Sequence, residues 1–449
     1  MKCAGTSSTK QYLPTQDLQN SSTKMEIEEI SSTKQMSDQV SLDIEKLERC
    51  MRREMESLHH LSDQCCIYRV PVQLRELNEK AYTPRVVSIG PLHYGKEEFR
   101  AMDEHKKRYL FDFLNRSGVS LLEFIKATET CETELRNCYA ENIQLPREDF
   151  VKMMLTDAAF LIEYFLKRYL GDWPKADRIF RKQRLTNDIR YDILLLENQV
   201  PFFFLEKLLN LSKVGISIVE LIRCFFTHEV IRLSLNLKNL AEKIFQALQL
   251  VDLLRICLQP SNPTPNKKYS NLSTPTITHL HRAGVKFESS SSNCLLDIKF
   301  EKGILQIPKW TITDHTEILL RNILAFEQCH LSDNYTSDYV FMMDMLINVQ
   351  EDVELLIQNG IIENWLQDNQ AVATLFNSLG NQTLVYEYFY FADLVEDLNA
   401  YCKIPRNKWK ATLKQKYFNN PWTIISVTAA SFLLMLAVIQ TVCSILQVG

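Results

Sequence analysis

Apolar residues recur at spacings of three and four along most of this chain, and the elements they predict are helices. Over 41–61, Ile44, Leu47, Met51, Met55 and Leu58 fall on one helical face, with Ser41 or Asp43 placed to cap it. The stretch 67–99 loses that rhythm at Pro71, Pro84 and Pro91 and reads as irregular. Helices follow over 103–114 and 150–170, the second apolar around most of its circumference, as in a large core. Residues 188–211 read as two helical runs interrupted near Pro201, whose ring lacks an N–H. Residues 216–235 and 237–258 continue the helical pattern, and Pro260–Pro275 reads as a loop. The period then changes to two: Val285 and Phe287, then Leu296, Ile298 and Phe300, alternate with polar positions. Lys302-Gly303 supplies a hairpin turn into 304–307. Residues 316–327, 337–348, 351–358, 361–366, 371–379 and 386–401 return to helix.

The last apolar run is of another kind. Between Ile424 and Leu446 lie 23 residues with no charge, and Gln440 is the one strongly polar side chain. At ~1.5 Å per residue they span about 34 Å, enough for a ~30 Å hydrocarbon layer. Leu433 and Leu434 sit mid-span, and Trp422 stands where an interfacial aromatic is expected. Lys403, Arg406, Lys408, Lys410, Lys414 and Lys416 precede the span. By the positive-inside rule they place the body in the cytosol, as a C-terminal tail anchor, most simply at the plasma membrane. The expected fold class is mainly α: a large helical body, a small antiparallel β-hairpin or sheet, and one C-terminal transmembrane helix. The expected organisation is a Ser/Thr/Gln-rich disordered tail over 1–40, a helical region over 41–259 and a Pro-rich loop over 260–275. An α+β second half over 276–418 and the span at 424–446 complete it.

Composition narrows the function classes. The 449 residues carry 51 Lys+Arg against 55 Asp+Glu, which leaves no basic domain for a nucleic-acid partner. Six of those cations and no acid follow Asp397, so residues 1–397 hold 45 basic and 55 acidic groups, a net of −10. An acidic body thus meets a basic collar, which favours anionic lipid headgroups. Eleven glycines leave little material for phosphate-cradling loops. The twelve cysteines form no C-x-x-C pair and lie in apolar stretches, so they read as buried cytosolic thiols. His59, His60, Cys65 and Cys66 are the nearest approach to a metal set, but adjacent cysteines cannot readily both face one tetrahedral ion. No metal or cofactor is expected. The six Asn-x-Ser/Thr sequons, at Asn20, Asn115, Asn210, Asn271, Asn334 and Asn381, are silent in a cytosolic body.

Chemistry-bearing motifs are few. Gly90–Lys96 fits the glycine and lysine spacing of a P-loop after a candidate strand at 85–89, but Pro91 removes an amide and Glu97 replaces the magnesium-binding hydroxyl. The carboxylates Asp157 with Glu163 and Asp192 with Glu197 lie in helical sequence among apolar residues, where burial raises a carboxyl pKa. Structural hydrogen bonding explains such groups more simply than acid catalysis. Glu197-Asn198-Gln199 beside Pro201 is a polar insertion whose simplest role is to satisfy backbone groups freed at the proline; a ligand pocket is the sharper alternative.

Several stretches together resemble the plant "domain of unknown function 247" family. They are IYRVPVQLRELNEKAYTPRVVSIGPLHYG (67–95), MDEHKKRYL (102–110), MMLTDAAFLIEYF (153–165) and DILLLENQVPFF (192–203). AGVKF (283–287), LLDIKFEKGILQIP (295–308), LLRNILAFEQC (319–329), DVELLIQNGIIENWL (352–366) and the tail 420–446 continue the pattern. Asp157-Ala158-Ala159-Phe160 departs slightly from the family's usual Asp-Gly/Ala-Cys-Phe, and the first 62 residues are mostly outside it. The resemblance implies a plant protein with a mostly helical body, one C-terminal membrane span and no agreed catalytic activity. Some members are encoded at grass self-incompatibility loci, where recognition in pollen is proposed. It also recasts Gly90–Lys96 as family signature.

The expected function is therefore a single-pass, C-terminally anchored component of recognition or signalling, not an enzyme. Its expected partners are membrane lipid and other proteins, with a homodimer through Ser426, Ala430 and Gln440 as one form. The alternative is a nucleotide-binding or hydrolytic enzyme using Gly90–Lys96 or Glu197–Gln199.

Overall fold

A computed structural model describes residues 43–53, 55, 64–227, 235–260, 267–268, 273–330, 334–381, 383, 388–405 and 421–448. The tail expected over 1–40, most of the Pro-rich loop and the collar lysines Lys408, Lys410, Lys414 and Lys416 lie outside the described residues. Contacts divide the chain between Leu61 and Ser62 into two units. In the first, a helix runs over 43–53, pinned on its surface by Arg52 to Glu48 at 2.7 Å. Its predicted apolar face is exposed, with Ile44 at 61% and Leu47 at 60%.

In the second unit, helices of nine or more residues are numbered here. The first half holds α1 Arg100–Ser117, α2 Leu121–Thr130, α3 Arg147–Leu170, α4 Gln183–Asp192, α5 Phe202–Ser212, α6 Ile218–Thr227 and α7 Leu250–Leu258. The second half holds α8 Thr316–His330, α9 Tyr335–Leu346, α10 Gln350–Gln358, α11 Asn369–Gly380 and α12 Ala392–Lys403, followed by α13 Pro421–Val448. The all-round apolar sequence of α3 makes it the axis of the first half: Phe150 through Lys167 are almost all buried, and α1, α2, α5 and α6 pack around it. One continuous core runs from Val70 to Leu398, joined across the halves where α7 packs on α8.

The β element is mixed, which corrects the antiparallel expectation. β2 Lys299–Glu301 and β3 Ile304–Pro308 form the hairpin at Lys302-Gly303, both with positive φ, as a primed turn requires. β1 Lys286–Ser290 then pairs with β3 in parallel, Phe287 opposite Leu305. A second parallel pair joins β4 Trp310–Ile312 to β5 Ile362–Asn364. Residues 361–366, predicted as helix, thus contribute a strand, because Ile361 and Ile362 bury beside Trp310. The helix predicted over 386–401 begins only at Ala392, since Tyr388–Phe389 pairs with Lys267–Lys268. The run 237–258 is broken at 247–249: Gln249 caps α7 through Val251 N–H at 3.0 Å, and Leu248 O takes Phe202 N–H at 2.9 Å.

Among the described residues no helix is long and apolar enough to cross a membrane. The transmembrane element of the expected fold class is thus no part of the architecture these residues establish; the backbone there is a single helix of 28 residues.

Candidate functional site

The polar triplet beside Pro201 stands at the centre of the first half. Residues 193–200 are turns, where the sequence pattern continues a helix to Pro201. The cause lies in side chains that claim backbone groups. Asn198 Nδ2 donates to Val87 O and Asp192 O at 2.9 Å each, and its Oδ1 accepts Ile89 N–H at 2.6 Å. Gln199 Nε2 donates to Ile193 O and Leu195 O at 2.7 Å each, while its Oε1 accepts Leu250 N–H at 3.1 Å. Asn322, from α8, accepts Leu196 N–H at 2.8 Å and donates to Ala81 O at 2.8 Å.

These groups face a strap, residues 67–99, which has little regular structure beyond the helix Val72–Leu77 and three short 3₁₀ turns. Buried carboxylates take up its amides. Asp192 alone accepts Arg85, Val86 and Val87 N–H at 2.8, 2.8 and 2.9 Å. Asp157 Oδ2 accepts Gly90 N–H at 2.9 Å, and its Oδ1 pairs with buried Lys106 at 2.6 Å. Glu197 accepts Val70 N–H at 2.7 Å and binds Arg75, with Arg69 Nη1 at 3.7 Å. His93 Nε2 lies 3.0 Å from Glu197 Oε2, at an angle outside hydrogen-bond geometry. On its other side His93 Nδ1 is 3.0 Å from Lys96 Nζ.

Electrostatics follows from these partners. Burial pushes the Glu197 carboxyl up, but His93, the Val70 amide and Arg75 outweigh it and hold the group below its ordinary pKa. Among the described residues Asp192 has amides and no cation, so burial prevails and raises it to about 6. Burial also raises Asp157, against the pull of Lys106. Gly90 is the tightest point: its φ is 72°, and a Cβ there would stand 2.6 Å from Gln199 O and 3.0 Å from the Tyr139 hydroxyl.

The P-loop alternative finds no support in this geometry. Residues 85–89 form no strand, the Gly90 amide is held by a carboxylate, and Lys96 points to His93. The paired carboxylates have separate partners: Glu163 holds Arg116 at 2.8 and 3.0 Å, Asp157 holds Lys106, and Asp192 and Glu197 serve different amides. Glu197, Asn198 and Gln199 do come together, and Pro201 opens α5 behind them. Arg69, Arg75, His93, Lys106 and Asn322 complete the site and escaped the sequence pattern. Each acts on residues tens to hundreds of positions away.

The other expected site residues are placed less fully. The side chains of Trp422, Ile424 and Leu446 lie outside the described residues. Leu433 and Leu434 are exposed on α13, and Gln440 O accepts the Ser444 hydroxyl at 2.8 Å. Among the described residues no group of three or more His, Cys, Asp or Glu could hold a metal. His59 and His60 lie outside them, and Cys66 packs in a small cluster with Ile67, Cys138 and Tyr139. A cleft of about 520 Å³ beside the strap is lined by Lys80, Thr83, Arg85, Arg184 and Asp188, where Arg85 and Arg184 share Asp188 at 3.6 and 4.0 Å.

The segments that make this site coincide with a family pattern. The model of the DUF247 family, described as "Plant protein of unknown function", matches residues 67–436, from the first residues of the strap into α13. The chain belongs to this family. UPF0481 protein At3g47200 of Arabidopsis thaliana is similar at 30% identity over 418 residues, covering 86% of this chain and 87% of that relative. Putative UPF0481 protein At3g02645, from the same plant, is 23% identical over 477 residues, covering 83% of this chain and 89% of its own. No solved structure matches. In this DUF247 chain, the matched region begins where the buried carboxylates begin to take up backbone amides.

Proposed function

We propose that this DUF247 protein is a protein-interaction component held at a membrane surface by its C-terminal helix. The observation that carries the reading is α13 itself. Its 28 residues rise ~1.5 Å each, about 42 Å. The 424–446 sequence within it has no charge, and Phe432, Leu433, Leu434, Met435, Val438 and Ile439 are all more than half exposed. A soluble helix hides such side chains in a core; a helix exposing them on every face is suited to a hydrocarbon surround. The cations from Lys403 to Lys416 favour the body on the cytosolic side, against anionic headgroups. The interaction role rests on the body: its buried acids are engaged in holding backbone, which leaves its surface as the functional part.

Truncation after Asn419 tests the reading. The full chain is expected in the membrane pellet after high-salt and alkaline washes, and the truncated chain in the supernatant. A truncated chain that stays in the pellet through both washes overturns the anchor. Glycan attached at Asn210 or Asn381 overturns the cytosolic placement.

A further inference from the structure

We propose that Cys131 and Lys207 form a covalent cross-link through one oxygen atom, Sγ–O–Nζ, made with dioxygen. Cys131 stands between α2 and the helix Glu132–Asn137. Its N–H donates to Thr128 O at 3.0 Å and its carbonyl accepts Leu135 N–H at 2.8 Å, so the backbone position is fixed. The residue is 1% exposed. Lys207 lies on α5, which packs against α2, and is an exposed residue. Its Nζ reaches 2.8 Å from Cys131 Sγ.

That separation is what an N–H···O bond shows, at about 2.9 Å, whereas sulfur is larger and a weak acceptor. An ammonium this near sulfur is closer than a hydrogen bond to a thiol requires. Among the described residues Lys207 makes no ion pair, so no carboxylate competes for it. One oxygen bonded to both atoms would hold sulfur and nitrogen at such a distance. The amine comes from α5 and the thiol from the junction that follows α2, so the link would tie that junction to α5.

The step balances with dioxygen as oxidant. After the ammonium loses its extra proton to solvent, the S–H bond and one N–H bond break, and S–O and O–N bonds form. The two hydrogens leave on the second oxygen atom as water. Sulfur and nitrogen each give up two electrons and dioxygen takes four. The exposed lysine places the pair at the edge of the core, within reach of so small an oxidant, and cysteine oxidation of this class is reversed by thiol reductants.

Peptide mapping by mass spectrometry of the full chain, purified in air, tests the proposal. The expected product is one linked pair carrying residues 131 and 207, heavier than its two peptides by one oxygen less two hydrogens. Dithiothreitol should return two unmodified peptides and lower the unfolding midpoint of the wild-type chain. Lys207→Arg keeps the charge and should abolish both the linked pair and the effect of reductant on the midpoint. Two unlinked peptides from air-exposed protein overturn the proposal. A linked pair lighter by two hydrogens, with sulfur bonded directly to nitrogen, overturns it equally.

Discussion

The strap at 67–99 and the helix α13 solve the same problem in opposite ways. Both must satisfy every backbone polar group. The strap lies against the core with little secondary structure, so Asp192, Asp157, Glu197 and Asn198 reach in from α3, α4 and the turns after α4 to take its amides. In α13 the amides beyond the first turn are satisfied within the helix, and the described side chains face outward, apolar and uncharged. The strap therefore depends on this protein's interior for its amides, whereas α13 does not. Charge is spent where the backbone is irregular and absent where it is regular.

Removing the most heavily partnered acid should break the contrast at its strongest point. Glu197→Ala leaves Arg75 and the Val70 amide facing a buried void, and about 3–5 kcal/mol should be lost in denaturant unfolding. Glu197→Gln, which keeps an acceptor for Val70, should lose less. A loss under about 1 kcal/mol for the alanine variant would show that the strap is held by packing instead.

Gly90→Ala probes the strap's tightest point without touching charge. A Cβ there collides with Gln199 O, a backbone atom, at a φ of 72°. About 2–5 kcal/mol should be lost, from overpacking by roughly 1–3 kcal/mol and a left-handed backbone by roughly 1–2 kcal/mol. Full retention of the unfolding midpoint would mean that the strap can move off Gln199.

A third test separates acids that have cations from acids that have none. Asp338 accepts only the Tyr390 amide among its described partners, and burial raises its pKa to about 7. A carboxyl raised on folding contributes fully below its unfolded pKa of about 4, and that contribution fades as pH climbs through about 7. Asp338→Asn keeps the acceptor and removes the charge. Its unfolding midpoint should exceed the wild type's at pH 8 and match it near pH 4, with a difference of roughly 1 kcal/mol or more at the upper end. Equal midpoints across that window would show the charge to be compensated.

The smallest effect on unfolding is expected in α13. Leu434→Arg places a charge on an exposed site, so the body's unfolding should change by no more than about 0.5 kcal/mol. In a membrane the same change costs about 2.5–3.5 kcal/mol at the centre of a span and should reduce the pelleted fraction. A large loss of body stability would mean that α13 packs against protein.

Helices with a strong apolar period were legible from the chain, and α1, α3, α5, α8 and α11 stand within a few residues of their predicted bounds. The failures share a cause. Residues 193–200 carry helical apolar spacing but turn, because Asn198 and Gln199 bond the carbonyls of Asp192, Ile193 and Leu195. Within 361–366, residues 362–364 pair with β4 from 52 positions away, and no local pattern records a partner that distant.

Of the site, the sequence alone marked Glu197–Gln199 as a polar insertion that had to be satisfied, and it marked 424–446 as uncharged and apolar. Both follow from burial and periodicity, which are local. Only the tertiary structure decided which amides the acids hold, that Arg75 and His93 flank Glu197, and that a lysine on α5 meets a cysteine beyond α2. Those choices depend on which segments the core brings side by side. Such pairings join residues far apart in the chain, 127 positions for Glu197 and Val70, and become visible once the chain has closed around α3.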